Sequence, residues 1–173
     1  MSSIAILRVL IVFALTITLL PIYLLGLALD YLFGQRIVVL LIKKFWSRAV
    51  MKTIGIKWEL VGLKSEAHIF VSNHISWIDI LVINSTLDVV FVAKKEVRSW
   101  PGLGLLAVLG QTIFIERKSL NALSHMRAVE ECLKKGQSIF FFPEGTSTDG
   151  SIIKQFKSSP VSYTHLRAHE TGG

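Results

Sequence analysis

An α/β fold, with a mixed, largely parallel sheet, flanking helices and an N-terminal helical membrane anchor, is predicted by three features of the sequence. An uncharged run of 21 residues, Val9 to Leu29, lies near the N-terminus. Beyond Lys57, short runs rich in Val, Ile and Phe alternate with amphipathic helical patterns. Most of those runs lack strict apolar–polar alternation, as strands buried on both faces of a sheet do. The chain has 173 residues, 51% of them apolar, and a mean hydropathy of +0.55. It is long enough for one domain with an appendage, too apolar for disorder, and atypical of a wholly soluble domain.

The first element is the anchor. About 20 apolar residues span a bilayer core as a helix, so Val9–Leu29 suffices. It is too long for the apolar part of a signal peptide, and no small-residue cleavage site follows before Asp30. Pro21 would kink the helix or divide it into a re-entrant hairpin. The next element, Ile37–Ile54, reads as a basic amphipathic helix. Lys44, Arg48 and Lys52 share one face at i, i+4 and i+8, opposite Val39, Leu40, Ile42, Phe45, Trp46, Ala49 and Val50. Such a helix suits the membrane interface, with its cations among lipid phosphates and Trp46 at headgroup depth.

Charge supports this reading. The whole chain carries +7, but residues 1–58 hold seven basic residues against the single acid Asp30. A chain most basic where it is most apolar points to lipid rather than nucleic acid. The cluster after residue 36, set against Arg8 alone before the anchor, places the rest of the chain in the cytoplasm if the anchor spans, with a bacterial inner membrane as the expected location. The one cysteine, Cys132, rules out an intrachain disulfide and any thiol-rich metal framework.

From residue 58 onward, Trp58–Val61, Ile69–Ser72, Val89–Ala93, Thr112–Ile115 and Ser138–Phe142 read as strands. Trp77–Asn84, Leu103–Leu109 and Leu120–Lys134 read as helices, the last stopped by Gly136. The expected organisation is an anchor with its basic helix (1–57), an α/β domain (58–159) and a tail (160–173). The tail, from Val161 to Thr171, resembles a reading-frame translation of the adapter used in transposon-based DNA sequencing libraries. It is therefore expected to be non-native, the biological sequence to end near Ser159, and the domain to be truncated. His165 and His169 have the spacing of a helical zinc pair, a reading rejected on that ground.

In α/β sheets ligands lie beyond the carboxyl ends of strands, and two strand ends here carry unusual residues. In Ser72-Asn-His-Ile-Ser-Trp-Ile-Asp79, a strand ending near Ser72 and a helix starting at Ser76 put His74 in the turn and Asp79 in the first helical turn. A carboxylate on one imidazole nitrogen fixes the tautomer and leaves the other free to take a proton from a hydroxyl. Ser76-x-x-Asp79 is also a capping-box pattern, and capping and catalysis are compatible. In Phe140-Phe-Phe-Pro-Glu-Gly-Thr146, a tight turn explains Pro143 and Gly145 but gives no reason for Glu144 after an apolar strand. A third run, Gly110 to Arg117, delivers an arginine suited to bidentate phosphate binding.

Taken together, in this order, the three blocks resemble the glycerolipid acyltransferase family, and in particular bacterial 1-acylglycerol-3-phosphate O-acyltransferases. Asn73, His74 and Asp79 match its first block. Gly110, Phe114, Ile115 and Arg117 match the second, and Phe141, Glu144, Gly145 and Thr146 the third. Two departures stand out. Ser147 occupies the place of an arginine that usually follows the third block's Gly-Thr, and the family's fourth block is missing. Gly145-Thr-Ser-Thr-Asp-Gly150 with Phe156-Lys-Ser-Ser159 is also similar to members that acylate lyso-ornithine lipids.

The resemblance implies acyl transfer from acyl-CoA or acyl-carrier protein to the free hydroxyl of a lysophospholipid, converting 1-acyl-sn-glycerol-3-phosphate to phosphatidate. His74 would be the base, oriented by Asp79. Arg117, Glu144, Gly145 and Thr146 would hold the glycerol and phosphate end. A thioester is already activated, so no protein nucleophile is needed; no metal or resident cofactor is implied, the acyl thioester is a co-substrate, and the partners are membrane lipids and the lysophospholipid. The alternatives are a lyso-ornithine lipid O-acyltransferase, a metallohydrolase using His74 and Asp79 as ligands, and a non-catalytic membrane-binding fragment.

Overall fold

The computed structural model describes residues 2–34, 36–62, 68–116 and 122–145. In chain order the elements are α1 (Ser3–Phe33), α2 (Ile37–Ile54), β1 (Ile69–Val71), α3 (Ile78–Thr86), β2 (Val89–Lys94), a 3-10 segment (Lys95–Ser99), α4 (Leu103–Leu109), β3 (Ile113–Ile115), α5 (Ala122–Lys134) and β4 (Ser138–Phe141). They group into two compact units. One contains α1, α2 and α3, and the other contains the sheet, the 3-10 segment, α4 and α5.

In the helical unit, α1 starts where the Ser2 hydroxyl accepts the Ala5 N–H at 3.3 Å, and ends at Gly34, whose φ of 66° only glycine adopts freely. Pro21 lies inside it without dividing it. The proline withholds one N–H from the ladder, and the 31-residue helix runs on through the gap. A hairpin at Pro21 is thereby excluded. The helix is long and apolar enough to cross a membrane.

α2 pairs with α1 in antiparallel fashion. Trp46 Nε1 donates to Thr16 Oγ1 at 3.0 Å, and the Val39 N–H donates to Asp30 Oδ2 at 3.4 Å. The latter supplies α2 with an N-terminal acceptor that its own N-cap, Arg36, does not provide. At Gly26 the helices approach so closely that a Cβ would lie 2.8 Å from Val38 Cγ1. α3 packs on α2, with Val50, Met51 and Leu81 as the buried centre and Val12, Leu15, Trp46, Ile54, Ile56 and Val82 around it. Arg48 donates through Nη2 and Nε to the Ser85 carbonyl at 2.8 and 3.2 Å, where α3 leaves carbonyls unpaired.

These contacts correct part of the interfacial reading of α2. Trp46 faces α1, and Arg48 serves the end of α3 instead of a lipid phosphate. They also explain why α3, expected with the α/β domain, packs with the N-terminal helices: its apolar side, Leu81 and Val82, meets α2.

The α/β unit holds a four-stranded sheet in the order β1-β4-β2-β3, parallel throughout. Its core is Val89, Val90, Phe91, Ile139 and Phe140, all buried, with α5 against β3 and β4. The run Trp58–Val61 forms no strand; Leu60 and Val61 are exposed, so the burial that would hold a strand there is missing. α3 begins at Ile78 with Trp77 as N-cap and no side-chain cap bond. The helix thus starts later than the Ser76 capping pattern predicts, and Asp79 occupies its first turn.

Candidate active site

A parallel sheet brings the carboxyl ends of all its strands to one edge. β1 and β4 are neighbours with Val71 opposite Phe141, so the loops that leave them, 72–76 and 142–145, emerge side by side. His74 is half-buried in the first loop, and its ring stacks on Phe142 at 4.0 Å between centroids and 20° between planes. Phe142 continues into an aromatic cluster, 5.3 Å from Phe140 and 6.3 Å from Phe91. This ring support fixes the plane of the imidazole, which is what a group that moves protons at a defined atom requires.

Next to Phe142 the chain turns. The Gly145 N–H donates to the Phe142 carbonyl at 3.0 Å, closing a β-turn with proline second and glycine fourth, the residues this turn favours. Gly145 has φ 66°. The turn buries Glu144 to 1% exposure, and among the described residues neither carboxylate oxygen accepts a hydrogen bond. Removing a carboxylate from water is costly unless donors meet it. A donor-bearing substrate group is one means of offsetting that cost.

The structure thus brings His74, Glu144 and Gly145 to one edge of the sheet. Asp79 is half-buried in the first turn of α3, in the helical unit. Arg117 and Thr146 lie outside the described residues, as does the tail. At the far end of the same edge, Lys94 of β2 stands opposite Ile115 of β3. The residues that follow them, Lys95 and Glu116, form an ion pair at 2.8 Å. With Glu96, Arg98 and Ser99 they line an open groove of about 470 Å³.

Two features escaped the sequence reading. Phe142 looked like the last residue of an apolar strand; only the strand order reveals it as the ring under His74. The 3-10 segment, built from Lys95 to Ser99, carries no strong periodic signal. Among the described residues, no group of three or more His, Cys, Asp or Glu side chains could hold a metal ion.

Comparison with known proteins converges on one family. A family profile described as Acyltransferase matches residues 59–166. The chain is 34% identical over 162 residues to a lyso-ornithine lipid O-acyltransferase of Brucella abortus, an alignment covering 92% of this chain and 59% of that protein. It is 35% identical over 117 residues to a 1-acyl-sn-glycerol-3-phosphate acyltransferase of Neisseria meningitidis, covering 65% of this chain and 46% of that one. The chain therefore spans about half of these relatives. Among solved structures, the 1-acyl-sn-glycerophosphate acyltransferase PlsC of Thermotoga maritima shares the fold, with a TM-score of 0.63, 24% identity, and coverage of 93% of this chain and 70% of that one. By the profile match over more than half its length, together with the parallel sheet and the apolar N-terminal helix, the chain belongs to the Acyltransferase family.

Proposed function

We propose that the protein acylates a lysolipid at a membrane surface, taking the acyl group from acyl-CoA or acyl-carrier protein. The observation that carries this reading is the convergence of the His74 loop and the Pro143-Glu144-Gly145 turn at the carboxyl ends of neighbouring parallel strands. His74 takes the proton of the acceptor hydroxyl as its oxygen attacks the thioester carbonyl. The carbon–sulfur bond breaks, the ester forms, and the proton passes to the departing thiolate. The role of orienting carboxylate falls to Asp79 on its His-x4-Asp spacing. Arg117, Glu144, Gly145 and Thr146 are the proposed contacts of the acceptor's polar end.

Between acceptors, Ser147 favours a lyso-ornithine lipid over 1-acyl-sn-glycerol-3-phosphate. It removes one cation that a phosphate would need. The identities, 34% and 39% to two relatives named for lyso-ornithine lipid against 35% and 38% to two named for 1-acyl-sn-glycerol-3-phosphate, do not separate the acceptors. The proposed location is the bacterial inner membrane with the α/β unit cytoplasmic, from the excess of Lys and Arg after α1.

Thiol release from acyl-CoA, measured with each acceptor in vesicles and the parent full-length protein, tests the reading. His74→Ala should lower turnover about 100- to 10,000-fold while flotation with vesicles persists, and Asp79→Asn should fall in the same direction. Turnover near that of the parent in His74→Ala would remove His74 as the base. Preference for 1-acylglycerol-3-phosphate would reverse the acceptor assignment.

A further inference from the structure

The α/β unit carries an apolar surface that neither its core nor the candidate site uses. From Trp100 to Gly110 the sequence reads Trp-Pro-Gly-Leu-Gly-Leu-Leu-Ala-Val-Leu-Gly, with no polar side-chain group other than the indole N–H. Yet Trp100 is 53% exposed, Leu105 61% and Val108 43%. Leu105 and Val108 lie one turn apart on the same side of α4. A helix facing water without a polar side chain is unusual, and contiguous exposed apolar groups mark a docking surface.

The residues just before α4 indicate the partner. Lys94, Lys95 and Arg98 against Glu96 leave residues 94–100 with a positive balance, and in sequence Trp100 follows these cations and precedes the apolar helix. Exposed cations, an amphipathic aromatic ring and aliphatic side chains on one short segment are the three kinds of group that contact lipid headgroups, the interface and acyl chains. The arrangement is held rigidly. A Cβ on Gly104 would collide with the Arg98 carbonyl, and the Gly104 N–H donates to the Trp100 carbonyl at 2.8 Å. Arg98 also lies over the Phe114 ring at 5.9 Å. Helix and cationic turn thus form one preformed piece, with Lys95 in part neutralised by Glu116.

We infer that α4, with Trp100 and Arg98, is a second membrane contact, through which the α/β unit inserts shallowly into an anionic lipid surface. The inference rests on the membrane reading above and concerns a separate surface from α1.

The test uses single cysteines at Leu105 or Val108, and at exposed Lys135 as a control, in a Cys132→Ser background of the full chain. Each carries an environment-sensitive fluorophore and is mixed with phosphatidylglycerol–phosphatidylcholine vesicles. The labels at 105 and 108 should lose most of their iodide quenching on vesicle addition and be quenched by shallow spin-labelled lipid, while the label at 135 stays open to iodide. Unchanged iodide quenching at 105 and 108 in protein that floats with vesicles would overturn the inference alone. Shielding from both quenchers would also overturn it, since protein would then cover the face. Failure to float at all would overturn the membrane reading as well.

Discussion

Glu144 is the residue at which the stability of this chain and the proposed chemistry meet. Its carboxylate is 1% exposed and lacks a hydrogen-bond donor among the described residues. Residues kept for function at a cost to the fold behave in a definite way when neutralised. Glu144→Gln is expected to raise unfolding stability, by about 1 kcal/mol or more, while lowering turnover. Denaturant titration read beside thiol release checks this, and a destabilised variant would instead assign Glu144 a structural partner. Lys43 offers a second reading of burial. Desolvation, with Arg36 adding to it and Asp88 opposing, lowers its pKa from 10.5 to about 8. Between those values the folded chain binds fewer protons than the unfolded one, so stability should rise as pH is raised from about 8 to about 10.5. The rise should be on the order of 2–3 kcal/mol and should flatten in Lys43→Met when melts are compared across that window. The sequence made the candidate site legible as two loops, because an acid and a histidine after apolar runs are hard to explain by packing. It could not reveal that the loops are neighbours, since that depends on β4 pairing with β1, nor that Phe142 supports His74.

At the scale of elements, legibility followed the strength of local signals. α2 matches its expected bounds because its apolar side is periodic and Gly55 stops it: the Gly55 N–H donates to the Lys52 carbonyl at 3.2 Å and the Ile56 N–H to that of Met51 at 2.9 Å. The four strands around the core lie where Val, Ile and Phe cluster. Trp58-Glu-Leu-Val61 is also largely apolar, but an apolar run alone does not supply a pairing partner. Ser76 fits a capping pattern, and α3 starts two residues beyond it. α4 depends on one glycine. Because the atom that a Cβ on Gly104 would meet is a backbone carbonyl and not a movable side chain, Gly104→Ala must shift the 3-10 segment or α4. A loss of roughly 3 kcal/mol is expected, far from the gain of up to about 1 kcal/mol that alanine gives inside an unobstructed helix. Thermal melts of the two chains distinguish these outcomes.

For the whole molecule, the division into a helical unit and an α/β unit implies that membrane attachment and chemistry can be separated by mutation. His74, Glu144 and Gly145 belong to the α/β unit; Asp79 belongs to the helical unit but stands on α3, so the apolar surface of α1 carries none of the proposed site residues. Leu10 and Ile17 lie two turns apart on α1, exposed to 58% and 53%, so they share a face and replacing them leaves the packing of α1 on α2 intact. An aspartate at the centre of a membrane helix costs about 2.5–3.5 kcal/mol. Leu10→Asp with Ile17→Asp should therefore weaken vesicle partitioning by up to roughly 100,000-fold. The same double variant should retain turnover of a short-chain, water-soluble acceptor, because none of the proposed site residues, Asp79 of the helical unit included, has been altered. Vesicle flotation and thiol release, measured on one preparation, give both quantities. Loss of turnover on the soluble acceptor along with flotation would show that the site needs the anchor for more than access to lipid.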